Sequence, residues 1–156
     1  MIDLKQYSPS MQSNIELFYE KCFNDLGWGY EPHSRHSDTV NIQQEYMKNG
    51  CFWCLYDGKQ LIGTVAIRTI DLQNKIAELK RLYVLKEMQG KGYGGLLFDI
   101  AVNYAKNNGY CKICADTRND RSASQHLMRK YGFFEVPQYN DNAYAELFFE
   151  LPLMSN

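Results

Sequence analysis

A glycine-rich segment between an apolar strand and an amphipathic helix constrains this chain more than any other feature. The segment reads Gln89-Gly90-Lys91-Gly92-Tyr93-Gly94-Gly95. The helix is predicted over residues 92–107, because apolar residues recur at helical spacing and Gly109 ends the pattern. Free N–H groups at a helix start favour an anion, and glycines let a phosphate approach the backbone. Four glycines in six residues exceed the need of a turn and predict a phosphate site.

Two common phosphate motifs fit this segment poorly. A P-loop needs Ser or Thr after its lysine, whereas Lys91 is followed by Gly92. The dinucleotide pattern G-x-G-x-x-G is formally present at Gly90, Gly92 and Gly95. That fold also needs a tight strand-to-glycine turn and a second set of strand–helix units, and only 61 residues follow Gly95. An NAD-linked protein is therefore the weaker alternative.

Length and charge limit the class of protein. The 156 residues suit one domain spanning 1–156, and 45% hydrophobic residues suffice for a core. The net charge is −1, which gives no polycationic surface, so we expect no nucleic-acid partner. No apolar stretch approaches the ~20 residues of a membrane span. The first residues do not resemble a signal peptide, so we expect a cytoplasmic location.

Several cations lie close in sequence to the glycine-rich segment. They would form an ordinary solvated surface unless the fold makes them converge on an anion. The residues are Arg81, Lys86, Lys91, Arg118, Arg121, Arg129 and Lys130.

The five cysteines include two C-x-x-C pairs, which raise the alternative of a zinc or redox site. Both pairs, Cys51/Cys54 and Cys111/Cys114, fall in apolar strand patterns without a glycine turn. Residues three apart on a strand point to opposite faces, so neither pair could hold one ion. A redox pair is expected at a helix start. We therefore expect reduced thiols in the strand core and no metal site.

Strand and helix patterns alternate along the rest of the chain. A mixed sheet with helices on both faces is therefore predicted. Strands are predicted at residues 2–7, 51–56, 61–68, 76–85, 112–116, 133–136 and 143–151, and helices at residues 8–26, 38–48, 92–107 and 121–131.

The pattern Q-x-x-G-x-G, formed by Gln89, Gly92 and Gly94, resembles the acetyl-coenzyme A signature of the GNAT acetyltransferase superfamily. The likeness extends over residues 51–153, and residues 1–50 match in coarse outline. It includes the runs Leu61-Ile62-Gly63-Thr64-Val65-Ala66 and Lys130-Tyr131-Gly132-Phe133. The resemblance implies an α/β (α+β) fold with a mixed, mostly antiparallel sheet of six to seven strands flanked by about four helices.

The resemblance also implies a set of residues for acetyl-CoA. Backbone N–H groups of the turn would hold the pyrophosphate, and the preceding strand would pair with the pantetheine arm. Asn119 lies near the family's asparagine position, which Arg121 occupies here. The turn residues are Gln89, Gly90, Lys91, Gly92, Tyr93 and Gly94, and the strand residues are Leu82, Tyr83 and Val84.

Glu78 lies where many family members have the general base, 11 residues before Gln89. An amine must lose a proton before it attacks a thioester, and a carboxylate in an apolar strand suits that task, directly or through a water. The alternative is a structural glutamate on a solvated face or paired with Lys80.

The family's usual acid is absent. Counting back from Gly132, the tyrosine that protonates the departing thiolate in the family is replaced by Met128, and the alanine before it by Ser124. This substitution leaves open which group, if any, protonates the thiolate.

The acceptor site of the family lies between the first two helices and the last hairpin. The corresponding loops are aromatic and mixed in charge, and they do not identify an acceptor. They contain Trp28, Tyr30, Glu31, His33 and Arg35, and then Gln138, Tyr139, Asn140 and Asp141.

The resemblance implies an N-acetyltransferase that moves an acetyl group from acetyl-CoA to a primary amine by direct attack. The acceptor would be a small-molecule or peptide amine, and a homodimer is left open. The alternative is a non-catalytic acyl-CoA-binding sensor, which Met128 favours.

Overall fold

The computed structural model describes residues 1–153, and its centre is one seven-stranded sheet. The strand order is β1-β2-β3-β4-β5-β7-β6, and β4–β5 is the parallel pair. The other neighbours pair antiparallel, which is unlike the mostly parallel dinucleotide fold. The strands are β1 Ile2–Gln6, β2 Cys51–Asp57, β3 Gln60–Asp71, β4 Ile76–Val84, β5 Lys112–Thr117, β6 Phe134–Glu135 and β7 Leu147–Pro152.

Four helices accompany the sheet, so the predicted fold class is confirmed. The helices are α1 Gln12–Asp25, α2 Ile42–Glu45, α3 Tyr93–Asn107 and α4 Ser122–Lys130, with 3₁₀ turns at Pro9–Met11, Ser37–Val40 and Lys86–Met88. No helix among residues 1–153 combines the length and apolar character of a membrane span.

Helices α1 and α3 cover opposite faces of the sheet. Tyr19 of α1 contacts Thr64 on one face, and its hydroxyl and that of Thr64 lie 2.8 Å apart. On the other face α3 packs so close to β3 that a Cβ at Gly63 would meet Leu97 Cδ1 at 2.8 Å. The predicted apolar stripe of α1, which includes Ile15, is buried in the same core.

The prediction of one helix over residues 38–48 is wrong. A 3₁₀ turn and the four-residue α2 replace it, with Asn41 between them at φ −130° and ψ 39°. Thr39 and Val40 are β-branched and gain little from a helix. Asp38 is held by Arg81 of β4, so tertiary bonds fix this segment in a non-helical path.

Strands β4 and β5 separate part-way along their length. Their pairing runs from Ile76↔Lys112 to Leu79↔Ala115 and ends there. Two residues further on, Arg81 has the left-handed φ of 57°, and the register between β3 and β4 shifts beside it. The Thr64 hydroxyl donates to the Arg81 carbonyl at 2.8 Å and fixes this irregular strand. The gap between the two strand ends opens into a cleft.

The cysteines are free thiols, and three of the four in C-x-x-C pairs are buried in strands as predicted. Cys51 and Cys54 lie in β2 and Cys114 in β5. Cys111 is exposed before β5 begins, so its predicted place in the strand core is wrong. Burial raises the pKa of Cys54 to about 12, which makes this thiol a poor nucleophile.

Candidate active site

A cleft of about 650 Å³ lies where β4 and β5 separate. The loops before α2 and before β7 form two of its walls, and the start of α4 forms a third. Strand residues 79–83 and 116–117 line its base. The loop residues that line it include Trp28, Arg35, His36, Asp38, Arg118, Arg121, Tyr139, Asn140, Asn142 and Tyr144.

Glu78 lies beneath this cleft, and its carboxylate is fully hydrogen bonded. Arg68 Nε donates to Oε1 at 2.8 Å. The Tyr139 hydroxyl donates to Oε2 at 2.5 Å, and Asn140 Nδ2 donates to the same oxygen at 3.0 Å. The side chain of Glu78 is 1% exposed, whereas Tyr139 and Asn140 line the cleft. The Tyr139 phenol therefore stands between the buried carboxylate and the cleft.

A second carboxylate, that of Asp116 near the end of β5, lies beside the Glu78 network. We call these two carboxylates and the side chains bonded to them the polar floor of the cleft. Asn140 Nδ2 donates to Asp116 Oδ2 at 2.7 Å, and Asn142 Nδ2 donates to the same oxygen at 3.2 Å. Lys80 Nζ lies 3.4 Å from the Asp116 carboxylate. Because Asn140 donates to both Glu78 and Asp116, the loop before β7 is bonded to two strands.

A buried ion pair joins the loop before α2 to β4. The Arg81 guanidinium donates to Asp38 through Nε at 2.8 Å and through Nη2 at 2.6 Å, and the Tyr46 hydroxyl also donates to Asp38. Burial alone would raise the pKa of Asp38, but the charge and hydrogen bonds of Arg81 outweigh it and lower this pKa to about 2.

His36 lies beside this ion pair as a buried, neutral imidazole. Its ring centroid is 4.5 Å from that of Phe23, and its Nδ1 accepts the Glu31 N–H at 2.9 Å. Desolvation, followed by the charges of Arg81 and Arg35, lowers the pKa of His36 to about 4. Burial and these two charges therefore both disfavour protonation of His36.

The glycine-rich turn has the backbone geometry that an anion site needs. Gly90 and Gly92 have φ of 79° and 87°, values that favour glycine, and Gly92 is the N-cap of α3. A Cβ at either position would meet no atom within 4 Å, so the space beside the backbone is open. The Leu96 N–H donates to the Gly92 carbonyl at 3.1 Å, which leaves the preceding N–H groups without a helical partner.

The sequence model of the acetyltransferase (GNAT) family matches residues 15–133, which is most of the chain. The chain belongs to the GNAT acetyltransferase family. The match includes the glycine-rich turn and Glu78, and it agrees with the resemblance found in residues 51–153 of the sequence.

Individual relatives agree with the family match. Human N-acetyltransferase 8B is 27% identical over 116 residues, which is 71% of this chain and 51% of that protein. This GNAT chain thus spans about half the length of that curated relative. A GNAT-family acetyltransferase of Staphylococcus aureus Mu50 has the same fold, with a TM-score of 0.88, 19% identity and coverage of 99% and 100% of the two chains.

A Brucella melitensis GNAT acetyltransferase whose crystal structure contains acetyl-CoA shares this fold as well. Its TM-score is 0.72 at 16% identity, and the match covers 100% of this chain and 90% of the other. The fold of this GNAT chain is therefore one that carries acetyl-CoA in another protein.

The predicted acetyl-CoA residues lie on two neighbouring elements of the GNAT chain. Leu82 and Tyr83 line the cleft beside the strand gap, and half-buried Val84 follows them. The turn residues Gln89 to Gly92 are exposed, with Tyr93 and Gly94 half-buried at the helix start. Asn119 is not brought to the cleft, because its backbone N–H and its side-chain amide both donate to Glu146.

Glu78 is not paired with Lys80, which bonds Asp116 instead, nor does it lie on a solvated face. Its charged partner is Arg68, which the sequence analysis missed. Arg68 and Glu78 face each other across the β3–β4 hairpin. The two residues lie equally far from the turn near residue 73, so the hairpin register could have been used to predict this pair from the sequence.

About half of the predicted acceptor residues reach the cleft. Trp28, Arg35, Tyr139, Asn140 and Asp141 line it. Tyr30 instead bonds Thr39, and Glu31, His33 and Gln138 are exposed outside the cleft lining.

On α4, the residues at the family's alanine and tyrosine positions both face the cleft. Ser124 and Met128 are buried and line it. Tyr131 points elsewhere, because its hydroxyl donates to Asp99 at 3.1 Å and its ring packs on Phe98. No phenol from α4 can therefore replace the missing tyrosine.

Proposed function

We propose that this chain transfers the acetyl group of acetyl-CoA to a primary amine by direct attack, without a covalent enzyme intermediate. The observation that carries the proposal is the continuity of the strand gap with the cleft. Leu82 and Tyr83 of β4 line that space, and so does Tyr139, whose phenol bonds the buried Glu78 carboxylate.

The residues present fit acetyl-CoA as cosubstrate. The open backbone at Gly90 and Gly92, with the free N–H groups at the start of α3, suits the pyrophosphate. The gap beyond Leu79 leaves β4 without a strand partner on the β5 side, so its backbone there can pair with the pantetheine arm, apart from the Leu82 carbonyl, which Arg121 bonds. Acetyl-CoA supplies the activated thioester, and the remaining chemistry is the handling of one proton.

Tyr139 gives Glu78 a route to the acceptor amine. The amine cannot reach the Glu78 carboxylate, which is 1% exposed, whereas Tyr139, whose hydroxyl bonds that carboxylate, lines the cleft. As the amine attacks the thioester carbonyl, its proton passes to the Tyr139 oxygen while the phenol proton passes to Glu78 Oε2. Burial and the Glu78 carboxylate raise the pKa of Tyr139, so the phenol stays protonated and acts as a carrier.

The departing thiolate has no phenol beside it on α4, because Met128 occupies that position. A thiol has an ordinary pKa near ~8.5, so the thiolate is a tolerable leaving group and water can protonate it. The same substitution favours a second candidate function, a sensor that binds acyl-CoA without turnover.

A thiol-release assay with acetyl-CoA and a panel of amines separates these functions. We expect release that depends on the amine, with an acetylated product detected by mass spectrometry. Binding of acetyl-CoA without release for any amine would support the sensor instead.

The route through Tyr139 has its own test in a double-variant cycle. Tyr139→Phe and Glu78→Gln should each lower kcat, and the double variant should be no slower than the slower single variant because both act on one proton path. Tyr131→Phe is the matched control, since this phenol also bonds a carboxylate but outside the cleft. Independent, multiplicative losses would contradict the shared path.

The cytoplasmic location and the absence of nucleic-acid and membrane partners remain part of this proposal.

A further inference from the structure

Three arginines that line the cleft, unlike the other lining cations, are not paired with an acid that also lines it or lies in its floor. Arg68, Lys80 and Arg81 bond Glu78, Asp116 and Asp38 in the floor and walls. By contrast, Arg121 has no acid within 4 Å among residues 1–153, and its Nη2 donates to the Leu82 carbonyl and Ser124 hydroxyl.

Arg118 is the least satisfied of the three. Its guanidinium makes no hydrogen bond to any residue that the structure describes, and its Nε lies 3.4 Å from the exposed Asp120 without hydrogen-bond geometry. Arg35 pairs at 2.7 Å with Glu31, which is exposed outside the cleft lining. The buried Nε of Arg118 lacks an acceptor, which is unfavourable unless a ligand supplies one.

Aromatic rings hold these guanidinium groups in place. Arg118 lies over Trp28 at 4.6 Å, and Arg121 lies over Tyr83 at 4.7 Å and within 5.9 Å of Trp28. Arg35 lies over Tyr144 at 4.5 Å. Stacking of this kind orders arginines before a ligand arrives and leaves their in-plane donors free.

The side chains that line the cleft carry a net positive charge. Six Arg and Lys side chains line it against four acids. Three of those acids, Asp38, Glu45 and Asp116, lie within 4 Å of a lining cation, and Asp141 has no such partner among residues 1–153. Desolvation is the largest cause of the lowered pKa of His36, and the charges of Arg81 and Arg35 add to it.

We infer that Arg118, with Arg121 and Arg35, forms an anion subsite for a carboxylate of the acceptor. The acceptor is then an amine that carries a carboxylate, as in a free amino acid. Its amine lies toward Tyr139 and its carboxylate toward Trp28. The substrate class rests on the proposed acetyl transfer, whereas the anion subsite stands on these contacts alone.

The positive cleft also acts on the amine itself. Nearby cations lower the pKa of a bound ammonium and so favour the neutral amine that attacks. They repel acceptors with additional positive charge, such as polyamines. A carboxylate on the acceptor pairs with the guanidinium charge. An acceptor without a carboxylate would leave that charge unpaired.

The test compares glycine, L-leucine and L-phenylalanine with their methyl esters, in the wild type and in Arg118→Gln. We expect Arg118→Gln to lower kcat/KM for the amino acids by on the order of 10-fold to 100-fold, the loss of one charge-assisted hydrogen bond, with little change for the esters. For each substrate, kcat/KM of the variant is divided by that of the wild type. This ratio removes the effect of the different basicity of the amino acid and its methyl ester. Arg118→Lys should restore part of the preference.

Arg129→Gln is the matched control. Arg129 also stacks on an aromatic ring, Phe149, but pairs with Glu135 and lies outside the cleft lining. It should leave the preference for amino acids unchanged. An unchanged preference in Arg118→Gln would overturn the assignment, as would a weakened acetyl-CoA affinity with that preference intact, because the arginine would then serve the cosubstrate.

Calorimetry with the N-acetyl amino acid and CoA together gives a readout without turnover. Carboxylate-dependent binding that Arg118→Gln weakens would support the subsite even if no amine were acetylated, and only the proposed reaction would then fail. Acetylation of neutral amines with no carboxylate-dependent binding would overturn the subsite and leave the reaction intact.

Discussion

The glycine-rich turn at residues 89–95, which follows β4, and the polar floor around Glu78, which lies in β4, are built differently. The turn is one continuous segment whose proposed role in binding the pyrophosphate depends on backbone N–H groups at the start of α3. The floor is assembled from β3, β4, β5 and the loop before β7, and its function depends on side chains. One region can therefore be damaged by backbone strain and the other by losing a partner.

The two regions also differ in exposure. The turn is open to solvent, so its free N–H groups bond water when no anion is present. Glu78 in the floor is buried, and each of its two carboxylate oxygens accepts at least one hydrogen bond. Removing the Arg68 donor leaves the buried Oε1 of Glu78 unsatisfied, which costs about 1–3 kcal/mol. The following changes test this contrast.

Gly92→Val should have the largest effect, on acetyl-CoA binding. Valine is β-branched and disfavours the φ of 87°, and its side chain would fill the open space beside the backbone. We expect affinity, measured by calorimetry, to fall on the order of 10³-fold, the loss of about two charge-assisted hydrogen bonds.

Gly109→Val is the control for that change. Gly109 has φ of 77°, and a Cβ added there would likewise meet no atom within 4 Å, but this glycine follows the other end of α3. The variant should lose similar stability and keep acetyl-CoA affinity. Equal affinity in wild type and folded Gly92→Val would remove the phosphate site from the turn.

Glu78→Gln should lower kcat by about 10²-fold, the usual range of general-base catalysis. The deficit should shrink as pH rises, because the amine then deprotonates without help. Glu150→Gln is the control, since Glu150 also bonds a basic side chain on the sheet, Lys112, but does not line the cleft. A loss at Glu78 that is the same at every pH would indicate a structural role.

Acid should destabilise the folded protein through the protonation of His36. The pKa of His36 is lowered to about 4 in the folded protein from an ordinary value near 6.5, so the unfolded chain binds more protons between these values. The free energy of unfolding should therefore fall as pH decreases from 6.5 toward 4, by about 1–2 kcal/mol at pH 5.

Urea unfolding of wild type and His36→Gln at pH 7 and pH 5 measures this contribution. The variant should lose less stability between the two values than the wild type. Equal losses in both proteins would show that His36 is not the titrating group.

Changes on α4 should have the smallest effect. Met128→Tyr should alter kcat within a few-fold, well below the ~10² of acid–base catalysis, since the thiolate leaves without an acid. Tyr131→Phe should do less, because Tyr131 bonds Asp99 away from the cleft. A large gain in Met128→Tyr, in a steady-state thiol-release assay, would show that protonation limits turnover.

Elements with a strong local pattern were predicted closely. Helix α3 begins at Tyr93 and ends at Asn107, within one residue of the prediction, because its apolar stripe and terminal glycines are local signals. The β2–β3 hairpin follows from Asp57-Gly58 in the same way. The last strand begins at Leu147 rather than near residue 143, because the preceding asparagines bond Asp116 instead of a neighbouring strand.

By itself, the sequence determined the glycine turn, its helix and the family to which the chain belongs. The turn and its helix depend on residues within about fifteen positions of one another, where backbone propensity and periodicity act directly. The family follows from motifs spread over residues 51–153. Only the tertiary structure decided that Glu78 lies beneath Tyr139 and pairs with Arg68, and that three arginines converge at the cleft. The physical reason is that hydrogen bonds and charge act over a few ångströms, and only the packed strands bring such distant residues within that range.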